Sequence, residues 1–592
     1  MQSKEAIRNQ ILSYTHQIWG TKRVERLDML VQMMVNTLTN ELYLVQNKLS
    51  DVDTTLLERI ARKMTPEKCA SIRPAHTVLQ MSPKQSLITL KQNNEFTLEW
   101  AGIGNSGQET TTVSFYPVAD FRLYNAKISN LFYHKQLYSF DNNKKKLEIT
   151  TDIRLRNTYL WIGLDIDSQE KNLNGLSFYL NFPQLSEIHE LYEMLPYTKC
   201  HINGKEVRLK QGLSFDKKSV SETDTDVFRY YNDHYLTIDE DVDTGSWKTE
   251  NLPEILSGII DPEEAKSLPP KHWLCLEFSP YFTADMLQDM NIVVNAFPVV
   301  NRKWMQASIS KNNLLRTTTL SSDVGEKLLS IESVTDDKGR NYVSDISIGN
   351  SDVGTYHIET TNNVFIEELG LADYVEQLLD LVDDERAVFA GVDKDRITQV
   401  LSMLTDSDDK DAQKTEDNNR NRHEEVSRLS VNPFDGTNSV DLSYWVTWGE
   451  WINNLPAGKS FALNRNKIAE LEGITATSLC EIHGAKDFSD IQDVMSINSY
   501  VLTSKDRIVT EHSIISFCES ELGRAVEKVE VELGGKKSPK PKEGLVKVLN
   551  VNLTPSKGSS ELLYQKGVLK NLKMRLENRS PEEYRYEIRV VE

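Results

Sequence analysis

Four residue patterns in this 592-residue chain have the composition of reactive sites: a GxGxxG run, eleven histidines, 88 carboxylates and five cysteines. The run is GIGNSG, Gly102 to Gly107. A dinucleotide site needs a strand before such a run and a helix after it, so that the helix N-terminus meets the pyrophosphate. Here the flanks are FTLEW and TTTVSF, extended on both sides, and the spacing predicts a hairpin turn. GxxxxGK[ST], GxSxG and HExxH are absent from the sequence. His134, His272 and His483 have no partner at ligand spacing. His201 adjoins Cys200, but neighbours on a strand point to opposite faces. Cys69, Cys200, Cys275, Cys480 and Cys518 are scattered and odd in number, which disfavours a disulfide framework or a zinc site and predicts reduced, mostly buried thiols. Acidic clusters such as Ile238 to Asp243 read as solvated turns and do not fit an EF-hand loop. A carboxylate pair at glycosidase separation stays open at this level. The expectation is therefore no catalytic residue, no metal and no cofactor.

Aromatic residues carry more signal. Tyr444, Trp445, Trp448 and Trp451 crowd into SYWVTWGEW. Core packing, a protein interface and a carbohydrate platform are the three readings of such a cluster, and Trp445 and Trp448 are the interface candidates. The basic run Lys536 to Lys542 reads as a solvated hairpin tip, with a phosphate or acidic partner as the alternative. A formal net charge of −20 argues against broad nucleic-acid or anionic-lipid binding and fits a partner with basic surfaces. The N-terminus lacks the apolar core of a signal peptide, and no run of about 18 apolar residues occurs, so no membrane insertion is expected.

The elements that must position these residues fall into an α+β, elongated, multi-domain chain. Residues 1–73 read as helical. Leu27, Val31, Met34, Leu38, Leu42, Val45 and Leu49 recur at steps of three and four and share a face. Met29, Leu30, Met33 and Val35 widen the apolar surface beyond one stripe, which fits either packing on the chain's own domain or a bundle shared with other chains. Residues 74–310 alternate with period two and predict antiparallel β-rich domains, with a helix near Leu185 to Leu195 and strands at His201–Phe215, Tyr230–Glu240 and Lys271–Phe278. Residues 311–404 mix strand and helix, 405–428 form an acidic loop too polar to offset its ordering entropy, and 429–503 are β-rich. Residues 504–592 read α (Glu511–Leu522), β (Val526–Leu533), β (Leu545–Leu553), α (Glu561–Leu576), β (Tyr584–Val591). That αββαβ order predicts a ferredoxin-like sandwich.

Several stretches resemble one family. The helical opening from Val24 to Pro83, with Pro66, Pro74, His76 and Val78 at the passage into the first strand, is similar to the start of the TssF baseplate subunits of type VI secretion systems. GLSFYLNFPQLSEIHELYEML resembles that family's strand followed by a short helix, here with Leu191, Tyr192 and Glu193. In NIVVNAFPVVNRKW, Pro298, Val299, Val300 and Asn301 match its PVVN motif, and RIVTEHSIISFCESELG resembles an element of contractile-tail baseplate proteins. IWGTKRVERLD is closest in pattern to the Bacteroidetes branch, whereas the acidic 405–426 loop has the character of an insertion. The resemblance implies a non-enzymatic, cytoplasmic wedge subunit in a baseplate docked at the inner membrane complex. Its implied partners are a second copy of the chain, TssG (two copies to one), TssK, the VgrG hub with TssE, and the sheath proteins TssB and TssC. It also implies interaction roles for the residues from Leu27 to Leu49 named above, for Pro298 to Asn301, and a hinge near Pro66 to Pro74. A wedge protein of a phage tail or extracellular contractile particle is the near alternative, and a carbohydrate-active enzyme or binding protein the remote one.

Overall fold

A computed structural model describes residues 38–39 and most of 72–591. The larger stretches outside the description are 1–37, 40–71, 102–109, 214–221, 345–352, 362–425 and 464–474. The chain is mixed α and β and rich in strands. The N-terminal helical region lies outside the described residues except for Leu38 and Thr39, which are helical. Residues 364–404 and the 405–425 part of the expected acidic loop also lie outside them, whereas 426–428 are not loop: they begin the strand Val426–Asn432, held by backbone pairing to Thr355–Thr361.

A closed six-stranded barrel forms the centre, in the order His76–Met81, Ala296–Asn301, Thr110–Pro117, Phe96–Ala101, Ser460–Leu463, Thr475–Ser478. Its register shows why the sequence alternates: Phe96 faces Phe115, and Leu98 faces Val113, all four buried. The GxGxxG run joins the two strands of this hairpin, whose ladder extends to Ala101 opposite Thr110. The run itself lies outside the described residues, but both of its flanks are strands, as expected, and the strand Thr110–Pro117 rather than a helix follows it.

Beside the barrel, an eight-stranded and a four-stranded sheet enclose a second core containing Leu160, Ile162, Phe178, Phe182, Leu274 and Leu276. Cys200 and Cys275 lie within the eight-stranded sheet, and burial pushes both thiols up to about 12. A third core joins the sheet Lys303–Ser310, Ser439–Thr447, Lys327–Asp336 to strands around Val426–Asn432.

The segment Tyr230–Glu240 is not one strand. Its first residues end the helix Glu222–Asn232, and the strand covers Tyr235–Ile238. The run of aromatic and β-branched residues reads as strand, but Val227, Phe228, Tyr230 and Tyr231 all drop into the barrel core at helical spacing. Tertiary burial overrides the local preference.

At the C-terminus, helix Glu511–Leu522 starts where the sequence placed it. Thr510 Oγ1 accepts from Ser513 N at 3.2 Å, and Ser513 Oγ accepts from Thr510 N at 2.9 Å, a reciprocal cap. Strands Val526–Lys537 and Leu545–Pro555 pair antiparallel. Helix Val568–Arg579 crosses over to Tyr586–Val590, parallel to the second strand. A further helix, Ile491–Ser504, precedes the set and packs on Glu511–Leu522. The described sheet has three strands, one fewer than a ferredoxin-like sandwich.

Candidate functional site: a polar junction around one helix

Helix Glu222–Asn232 lies where three bodies meet. Its apolar face fills the barrel core, while its acidic residues point elsewhere. Asp224 holds Arg302, just past the PVVN strand, at 3.0 Å, and both side chains are buried. Arg302 in turn lies 4.6 Å from the ring of Trp445, which meets Tyr116 edge-on at 5.0 Å. Asp226 faces the C-terminal helix and pairs with Arg575 at 3.4 Å and Arg579 at 3.5 Å.

Between this helix, the 479–483 segment and the C-terminal helix runs a cleft of about 1280 Å³. Tyr179, Tyr230, Tyr231, His234, Cys480, His483 and Lys570 line its inner part. His483 Nδ1 lies 2.9 Å from the Glu481 carbonyl, which can only accept, so Nδ1 carries the proton and Nε2 accepts from Tyr230 at 3.1 Å. His234 repeats the arrangement: Nδ1 donates to the Leu180 carbonyl at 3.2 Å, and Nε2 accepts from the Lys570 ammonium at 2.5 Å. Lys570 also stands 4.4 Å over the Tyr230 ring. Burial lowers Lys570 to about 8, against the pull of Asp233 and Cys480. Burial likewise lowers His483 to about 4, and holds His76, 4.6 Å from it ring to ring, well below the ordinary value. The same cause pushes the Cys480 thiol up. The histidines and the thiol are held in their neutral forms around the Lys570 ammonium, which makes the set a joint between elements. A thiolate nucleophile would need the opposite shift. Among the described residues, no group of three or more His, Cys, Asp or Glu is placed to hold a metal ion.

The second half of the junction is ionic. Glu521 lies between Arg73 at 2.6 Å and Arg575 at 3.3 Å. Burial alone would raise Glu521, but Arg575 and Arg73 outweigh it and hold the carboxyl at about 2. Lys486 donates to the carbonyls of Ser520 and Glu521 at 3.2 and 2.6 Å. At the far edge, Lys536 meets Glu190 at 2.7 Å, and Lys540 meets Glu193 at 3.6 Å. The basic turn expected to be a solvated tip is thus folded against the short helix that carries the LYE element.

The residues singled out in the sequence are placed as follows. Pro298, Val299, Val300 and Asn301 are buried in the barrel strand, so they present no surface to a partner. Asn301 instead ties two bodies together. Its Nδ2 donates to the Ser114 carbonyl at 2.9 Å, and its Oδ1 accepts from Thr447 Oγ1 at 2.8 Å and Trp448 N at 3.0 Å. Trp448 is buried against the barrel core, Trp445 is half-buried in the Arg302 stack, and Trp451 is the exposed member of the cluster. Leu38 is exposed on its helix. Leu27, Val31, Met34, Leu42, Val45 and Leu49 lie outside the described residues. Pro66 does too, whereas Arg73 is already fixed by its backbone bridge to Lys486 and its ion pair to Glu521. Sequence reasoning missed Asp226, Glu521, Arg575 and Arg579. Their only local sign is four basic residues, Lys570, Lys573, Arg575 and Arg579, within one helix.

Compared with known proteins, residues 20–212 match the model of the family described as type VI secretion system, TssF. The matched region includes the barrel strands His76–Met81, Phe96–Ala101 and Thr110–Pro117 and ends at the strand Leu209–Gln211. Among solved structures, a chain of a type VI secretion system TssK-TssF-TssG baseplate subcomplex is 12% identical. It aligns over 94% of this chain and 96% of its own with a TM-score of 0.46. A chain of a type VI baseplate complex is 10% identical over 99% of this chain and 96% of its own, with a TM-score of 0.39. No curated protein matches.

Proposed function

We propose that the chain is a non-enzymatic structural subunit of a type VI secretion baseplate, acting in the cytoplasm at the inner-membrane complex. The observation that carries this reading is the TssF match over residues 20–212. It takes in both the helical opening, with its wide apolar surface, and the barrel strand that follows. In this reading two copies of the chain join one TssG through a bundle built on Leu27, Val31, Met34, Leu38, Leu42, Val45 and Leu49, whose spacing suits knob-type packing. The wedge so formed meets TssK, the VgrG hub with TssE, and the TssB and TssC sheath. The sheet bodies support it mechanically: closed or doubly covered sheets move as rigid units, which a contracting machine requires. Trp451, exposed beside two anchored tryptophans, is the aromatic best placed for a partner.

The test is co-expression with TssG followed by native mass spectrometry. A 2:1 complex that is lost when Met34, Leu38 and Leu42 are changed to Asp supports the reading. A monodisperse monomer indifferent to TssG overturns it.

A further inference from the structure

The C-terminal residues 491–592 have a core of their own, made from Tyr500, Ile514, Phe517, Val551, Leu572 and Leu576. That core does not merge with the barrel core. Among the described apolar side chains of this module, Met574 is the one packed against the barrel cluster. What joins the module to the rest is polar: Arg73 to Glu521, Asp226 to Arg575 and Arg579, Lys486 to two carbonyls at the helix end, Lys536 and Lys540 to Glu190 and Glu193, and Lys570 to His234 Nε2 and the faces of Tyr192 and Tyr230. Polar interfaces of this kind between domains of one chain permit relative motion, whereas large apolar ones do not.

The pairing has a second property. Three of the module's cations at the junction have another partner inside the module. Arg575 has Glu521 at 3.3 Å, Arg579 has Asp506 at 2.8 Å, and Lys536 has Glu587 at 3.3 Å. Pulling the module away therefore does not leave these cations unpaired. The usual penalty of breaking a partly buried ion pair comes from the charge left alone, and here it falls only on groups that water then reaches. The barrel and middle domain likewise keep their own cores intact.

From this arrangement we propose that the C-terminal module is a detachable body, docked by charge onto the 222–232 helix and released as a folded unit. This goes beyond the baseplate reading and does not depend on any partner. The docked module forms one wall of the inner cleft, in which Tyr230 is buried and Cys480 and His483 are half-buried. The released state uncovers it together with the acidic face of Glu190, Glu193 and Asp226.

Two native cysteines report the difference. Cys480 lines the cleft beneath the module, and Cys518 is buried in the module's own core. The full chain is treated with a maleimide, and labelling is followed peptide by peptide by mass spectrometry. Two variants are compared with the parent: Asp226→Arg, and the pair Glu190→Lys with Glu193→Lys, whose side chains are half-exposed. The expected result is a rise of tenfold or more in the Cys480 labelling rate in Asp226→Arg, and several-fold in the double variant, with Cys518 as protected as in the parent. Equal rises at both cysteines would mean that the module unfolds rather than detaches and would overturn the proposal. So would an unchanged Cys480 rate in both variants.

Discussion

Asn301 provides the sharpest test of how the barrel is joined to the neighbouring sheet. Its side chain is 1% exposed and makes three hydrogen bonds, one to the Ser114 carbonyl inside the barrel and two from Thr447 and Trp448 beyond it. Asn301→Ala removes all three, at about 1 kcal/mol each in net terms. It also strands the Trp448 N–H away from water, which costs a further ~1–3 kcal/mol unless it finds a new partner, whereas the Ser114 carbonyl keeps its bond from Arg302 N at 3.2 Å. With partial relaxation the expected loss is about 3–5 kcal/mol, a large share of the ~5–15 kcal/mol that holds a domain together. Thr447→Val removes one bond and should lose about 1 kcal/mol. Asn301→Asp keeps both acceptor contacts but sets an oxygen against the Ser114 carbonyl, and should lose at least as much as Asn301→Ala. Urea titration followed by tryptophan fluorescence measures all three, since Trp445 and Trp448 sit at this seam. A loss below about 1 kcal/mol for Asn301→Ala would refute the view that this residue couples the two bodies.

Four further outcomes follow from the same structure. His76 and His483 are held neutral by burial, below their unfolded values. The unfolded chain therefore binds more protons as pH falls below about 6.5, and stability drops between there and about 4 by up to ~1.4 kcal/mol per pH unit per histidine. Melting curves from pH 7 to 4 should show this fall, and His483→Gln should flatten it; parallel curves would refute the assignment. Glu521, held at about 2, acts in a lower window, since its stabilisation is lost from about pH 4.5 downward. Gly484 has φ of +90°, and a Cβ there would sit 2.2 Å from His76 Nε2, so Gly484→Ala should destabilise by about 2 kcal/mol or more in thermal unfolding. Arg302→Met leaves Asp224 buried without its 3.0 Å partner and should lose about 3–5 kcal/mol, with Asp224→Asn recovering part of the loss when added to it, measured as a double-mutant cycle.

Much of the local structure was legible from residue order alone. Alternation in FTLEW and TTTVSF, with glycines between, determined a hairpin and excluded a dinucleotide turn, because a strand cannot supply a helix N-terminus. The helix Glu511–Leu522 and the two strands after it were readable for the same reason: each depends on contacts a few residues apart. The PVVN motif was legible as a motif but not as a role. Its four residues are internal, and Asn301 works through partners 146 and 187 positions away. The helix at 222–232 was misread because aromatic residues favour strands locally, while its conformation is decided by what it buries. The junction was invisible in principle. Arg73 and Glu521 stand 448 residues apart, and nothing near either one in the chain marks it as half of a pair. Periodicity reports which face of an element is apolar. Which charged faces meet is settled only when separate cores have formed and been brought together, and that is where this protein keeps its movable joint.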